Sequence, residues 1–169
     1  MVKKLNNKGG TFIWLIIFVF VFIGISTLVI DYGNLYVKAK KIKYTMNRAV
    51  KAAALQIDGS SELAAGMFKI DEDKAEETFK TILAENLGLD KTTMEPEENS
   101  LLYEKPVIKE FKVLNETPES YTSTVMNQTY DIDNPSVVAT IEFKIKSTFL
   151  ITDIQVSKLS SSQLTSVYE

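Results

Sequence analysis

Hydrophobic positions run unbroken near the start of the chain and turn periodic beyond it. From Thr11 to Ile30 (TFIWLIIFVFVFIGISTLVI) no residue is charged, and Asp31 follows at once. Twenty such residues match the ~30 Å hydrocarbon core of a bilayer when helical. Trp14 stands near one end, and Tyr32 and Tyr36 near the other, where amphipathic rings favour the headgroup layer. A core helix of that length with no polar face does not suit so small a protein, so the run predicts a membrane-inserted helix. A cleaved secretory signal would need a shorter apolar stretch and a small-x-small site after it. Ile30-Asp31-Tyr32 is bulky and charged, and Gly24-Ile25-Ser26 lies inside the run.

Past Gly33-Asn34 the chain reads LYVKAKKIKYTMNRAVKAAALQI. Leu35, Ala39, Ile42, Met46, Ala49 and Ala53 recur at spacings of four and three, a narrow apolar seam on a helix. Lys38, Lys40, Lys41, Lys43, Arg48 and Lys51 lie largely off it. Two readings fit. The helix could lie on its own domain with its lysines solvated. Alternatively, the seam could meet partner subunits, with Lys38, Lys40, Lys41 and Lys43 as a basic collar for anionic lipid. Gly33-Asn34, two weak helix formers, is the expected place for a bend or break.

Asp58-Gly59-Ser60-Ser61 reads as a turn, and Asp71 as an N-cap with Glu72 and Asp73 in the positive first turn. Ala75, Phe79, Ile82, Leu83 and Leu87 then form the buried face of a short helix that Gly88 ends. The acidic, Pro-containing stretch 92–100 predicts a loop. Beyond it the period falls to two. Val137, Ala139, Ile141, Phe143, Ile145 and Phe149 alternate with polar residues, predicting a strand with one buried face. Weaker strands are expected at Val107–Leu114, Ser123–Tyr130 and Ile154–Leu164, with a turn at 131–135. Strands grouped after helices give an α+β fold with an antiparallel sheet of about four strands, covered by the two amphipathic helices. The expected organisation is a basic leader over 1–10, a transmembrane helix over 11–31, a basic amphipathic helix over 32–57 and an α+β domain over 58–169.

Composition narrows the chemistry. The 169 residues include no cysteine and no histidine, which removes disulfides, thiolate chemistry, the commonest general base and the commonest metal ligand. The net charge of −3 divides into +8 over residues 1–57 and −11 over 58–169. An acidic domain repels phosphates, so nucleic acid is a poor partner, whereas a membrane surface suits the basic part. Asp131, Asp133 and Asn134 lack the spacing, glycine and distal glutamate of a calcium loop. Glu95, Glu97 and Glu98 read as a solvated charge run. Asn115 and Asn127 match the glycosylation triplet, a motif that arises easily by chance. The residues thus predict no catalytic, cofactor or metal site, no small-molecule substrate and no enzyme. Asp31 has two readings: a charge in interfacial water, or a contact to a basic residue of a neighbouring subunit or of its own collar.

A short basic leader, Lys8-Gly9-Gly10, an apolar run, then Asp31-Tyr32-Gly33 and a Lys/Arg-rich helix with Ala49, Ala52, Ala53 and Ala54 form a specific order. Over about the first third of the chain it resembles the TadE/TadG-like components of tight-adherence (Flp-type) pilus machinery. The resemblance implies a minor-pilin or assembly role, a cytoplasmic N-terminus, an exterior domain and a helix that associates with other pilus subunits. Lysine counts on either side of the span point the other way, but long domains translocate largely regardless of charge. Prepilin-type processing would fall between Gly10 and Thr11, with a glutamate five residues on. Leu15 stands there, and a retained anchor is the resulting expectation. The alternative is a single-pass membrane protein whose domain serves interaction or sensing in another membrane complex.

Overall fold

The computed structural model describes residues 8–59, 68–149 and 153–164. Helix α1 runs from Lys8 to Ala54 without interruption, 47 residues and ~70 Å at 1.5 Å per residue. Its first half is apolar all round and exposed, and among the described residues it is the one helix long and apolar enough to cross a membrane. Of the bend or break expected at Gly33-Asn34, no break occurs: the helix continues through both residues. Glycine costs ~1 kcal/mol in a helix interior, but Asp31 and Leu35 on either side are both buried against the domain.

After α1 the chain turns back on itself. Ile57 pairs with Ile70, and Asn115 completes the Ile70 backbone, its side chain accepting from the Ile70 N–H at 2.8 Å and donating to the Ile70 carbonyl at 3.0 Å. Ser60 and Ser61 of the expected turn lie outside the described residues. Helix α2 spans Glu72–Leu87 and is delimited as its sequence predicts. The Asp71 carboxylate accepts from the Lys74 N–H at 3.1 Å, and Gly88 closes the helix at φ 71°. Ala75, Phe79, Leu83, Ala84 and Leu87 are buried, with Phe79 against Phe111 at 5.1 Å between ring centroids.

Strands β1 (Val107–Leu114), β4 (Ser136–Lys146) and β5 (Asp153–Gln163) form an antiparallel sheet in the order β1-β4-β5. Strands β2 (Glu119–Thr122) and β3 (Thr129–Ile132) form a separate hairpin, so the strands fall into two sheets instead of one. Of the single strand expected over Ser123–Tyr130, residues 123–128 are instead the turn of that hairpin, and Thr129 and Tyr130 begin β3. The Ser123 N–H donates to the Gln128 carbonyl, and Asn127 has φ 50°. Val137, Ala139, Ile141, Phe143 and Ile145 face the helices as their alternation predicts, and both helices cover that face. Phe149, which continued the alternation, lies past the end of β4 and is exposed.

On the other face of β4, Ser136, Val138 and Thr140 are buried too. There a shift in register between Ile108 and Glu110 sets Glu110 opposite Thr140. The Glu110 carboxylate accepts from the hydroxyls of Ser123 (2.6 Å), Thr140 (3.1 Å) and Thr124 (3.2 Å), tying the hairpin turn to the sheet. Burial works to raise the Glu110 pKa, but these hydrogen bonds outweigh it and bring it down to about 2. The buried Tyr121 hydroxyl faces the same carboxylate without a hydrogen bond of good geometry. Its pKa is pushed up, first by burial and then by the charge of Glu110.

Candidate functional site: the junction of helix and domain

The two halves of α1 meet at Asp31. It is fully buried, although its neighbours Tyr32, Gly33 and Asn34 are exposed. Its carboxylate accepts the Ser147 hydroxyl, the Thr148 N–H at 2.8 Å and the Phe149 N–H at 3.4 Å. These donors belong to the chain leaving β4, which runs down α1 towards its apolar half. Two successive backbone N–H groups past the end of an inner strand point at Asp31, and its carboxylate accepts both with charge-assisted hydrogen bonds. Asp31 is therefore the knot that fixes the β4 end to the helix.

Further contacts continue the seam upward. The Lys38 ammonium donates to the Lys146 carbonyl at 3.4 Å, the Lys43 ammonium to the Leu159 carbonyl, and the Ser160 hydroxyl to the Asn47 side chain at 2.6 Å. The Lys43 pKa is lowered, mainly by burial and then by the charge of Lys158. Lys40 and Lys41 are exposed, and the Lys40 ammonium sits 5.7 Å from the centre of the Tyr44 ring. Two members of the lysine collar thus serve the chain's own strands, and two face outward.

Leu35, Ile42, Met46, Ala49 and Ala53 are buried in the core of the domain, with Ala39 half-buried beside them. That is the first of the two readings of the seam, a helix lying on its own domain. The opposite face of α1 is bare: Tyr32, Tyr36, Lys40 and Tyr44, one helical turn apart, are all exposed. Gly10 and Thr11 lie within α1 and are exposed, and among the described residues nothing beyond the adjoining helix backbone comes within 4 Å of a Cβ built on Gly10.

Other features offer little chemistry. A cleft of about 380 Å³ between α1 and β5 is lined by Lys43, Asn47, Lys51, Tyr130 and the Leu159–Ser162 stretch, with no carboxylate. Among the described residues no three Asp or Glu side chains are grouped to hold a metal ion. Asp131 lies in β3 and accepts from the Ser120 hydroxyl at 2.9 Å. Compared with known proteins, the chain matches no family model, no curated protein and no solved structure.

Proposed function

We propose that this protein is a structural or assembly subunit of a bacterial surface pilus or secretion system, a minor pilin of the TadE/TadG-like kind held by its N-terminal helix. One observation carries the reading. A single unbroken helix is bare and apolar in its first half, while its second half is built into an α+β domain on one face and exposed on the other. The bare half suits a bilayer. The outward stripe of Tyr32, Tyr36, Lys40 and Tyr44 suits lateral packing against other helical subunits, since tyrosine combines a large apolar ring with a polar tip. Asp31-Tyr32-Gly33 marks the point where the chain leaves the membrane, with the N-terminus cytoplasmic and the domain outside.

Purifying the native protein from its own membranes and identifying its companions tests this. Pilins, a secretion ATPase or platform proteins are the expected companions, and a signalling partner alone would overturn the pilus reading in favour of a sensory or interaction module. The natural absence of cysteine makes topology accessible. A single cysteine at exposed Ser161 reacts with an impermeant thiol reagent in intact cells if the domain is outside. Labelling only after lysis would reverse the orientation.

A further inference from the structure

We infer that the chain leaving β4 at Thr148 and Phe149 is a second membrane contact, with the Phe149 ring seated at the boundary between lipid headgroups and acyl chains. The inference rests on the reading of Thr11–Ile30 as a membrane span and adds to it a surface of the folded domain.

Height along α1 places the contact. Asp31 is the first residue after the apolar run and so marks the upper limit of the hydrocarbon when that run fills the bilayer core. The Phe149 N–H lies 3.4 Å from the Asp31 carboxylate, and the Thr148 N–H 2.8 Å. Lys38, two helical turns further up α1, reaches the Lys146 carbonyl. The chain leaving β4 is therefore attached to the helix at two levels, and the lower one, at Thr148 and Phe149, lies at the membrane boundary.

What the chain presents at Phe149 is not what a water-facing segment would carry. Phe149 is 56% exposed although Ser147, two residues before it, is buried. Ile154, at the start of β5 and paired with Ile145, is 39% exposed at the same end of the hairpin. Lys146, paired with Asp153 next to Ile154, is exposed above the ring. An aromatic ring at the level of Asp31 with a lysine higher up, at the level of Lys38, follows the order that interfaces favour, rings at the headgroup layer and ammonium groups at the phosphates. A second copy of the chain would explain the exposed ring equally well, but not its fixed height beside Asp31.

Single-tryptophan fluorescence of the full chain in vesicles tests this, because Trp14 is the sole native tryptophan. In the double variant Trp14→Phe, Phe149→Trp, emission is expected at shorter wavelength than in Trp14→Phe, Ser161→Trp. It should lose most of its intensity to lipids brominated near the headgroup and little to aqueous iodide. Iodide quenching without bromolipid quenching would overturn the inference, and protection from both would replace lipid by a protein neighbour. The unmodified protein reads the span in the same vesicles. Trp14 quenched by bromolipid, with position 149 unquenched, removes the second contact and leaves the anchor. Trp14 unquenched removes both. A nitroxide on Thr148→Cys gives an independent depth, and collisions favouring oxygen over an aqueous nickel chelate are expected there and not at Ser161→Cys.

Discussion

Asp31 and Thr148, 117 positions apart in the chain, are joined by a 2.8 Å hydrogen bond from backbone N–H to carboxylate. Replacing Asp31 by alanine leaves the Thr148 N–H and the buried Ser147 hydroxyl without this acceptor. A loss of about 1–3 kcal/mol in domain stability is expected. Asparagine keeps one acceptor oxygen and should lose less. Chemical unfolding in detergent micelles, followed by near-UV circular dichroism, ranks the two. Equal stability of Asp31→Ala and the parent would show that the knot holds nothing.

The two faces of α1 should respond oppositely. Met46→Ala opens a cavity in the core and is expected to cost about 2–5 kcal/mol. Tyr36→Ala and Tyr44→Ala remove exposed rings and should stay within about 0.5 kcal/mol of the parent. If the outward stripe packs against other subunits, the tyrosine variants instead lose their companions in the co-purification while remaining folded. A tyrosine variant that unfolds would put that face inside the domain.

Glu110 gives the domain a defined acid sensitivity. Its carboxyl titrates at about 2 in the folded chain against an ordinary 4.5. A depressed folded-state pKa means stability that is complete above pH 4.5 and is lost as pH falls through the window down to 2. Glu110→Gln should cost about 1–2 kcal/mol at neutral pH, after allowing for solvent screening of a half-buried group. It should also flatten the fall in stability across that window. An unchanged pH profile would assign the acid sensitivity to other carboxylates.

Two glycines make opposite predictions. Gly88 sits at φ 71°, and a Cβ there would lie 3.2 Å from the Ser100 Cα. Gly88→Ala is expected to cost about 1–2 kcal/mol from the left-handed backbone alone. Gly33 is helical, and among the described residues nothing beyond the adjoining helix backbone lies within 4 Å of a Cβ built on it. Gly33→Ala should therefore raise stability by about 0.4–1 kcal/mol. Melting curves of the two variants in the same detergent decide the signs. A stable Gly33→Ala protein that no longer assembles would assign this glycine to a partner helix.

Features with local causes were legible in the sequence. The caps of α2 follow from Asp71 and Gly88, residues that act within one helical turn. The β4 face follows from period-two alternation, and the seam of α1 from its spacing. What escaped depends on distant partners. No periodicity announces that Asp31 meets Ser147–Phe149, because that contact is made only once the sheet has docked. Glu110 lies in the expected Val107–Leu114 strand with nothing in the sequence to single it out, and only the register shift and the hairpin turn bring hydroxyls to it. Ser123–Tyr130 misled because its threonines and aromatic residue suit strand and turn flank alike, and the turn forms around Ser123 and Asn127 with no glycine to mark it. At Gly33 the propensity was read correctly and outvoted by packing.

The unbroken passage of α1 through Gly33-Asn34 has a mechanical consequence. A helix with no hinge at the exit, tied to the domain from Asp31 to Ala53, makes anchor and domain one lever. From Asp31 to Ala54 the arm is roughly 35 Å long. With the apolar half seated in a bilayer, a tilt of ~20°, ordinary for a spanning helix, carries the far end of the domain ~12 Å sideways. Hydrophobic mismatch with the bilayer, one contributor to that tilt, is thereby converted into the lateral position of the far end of the domain.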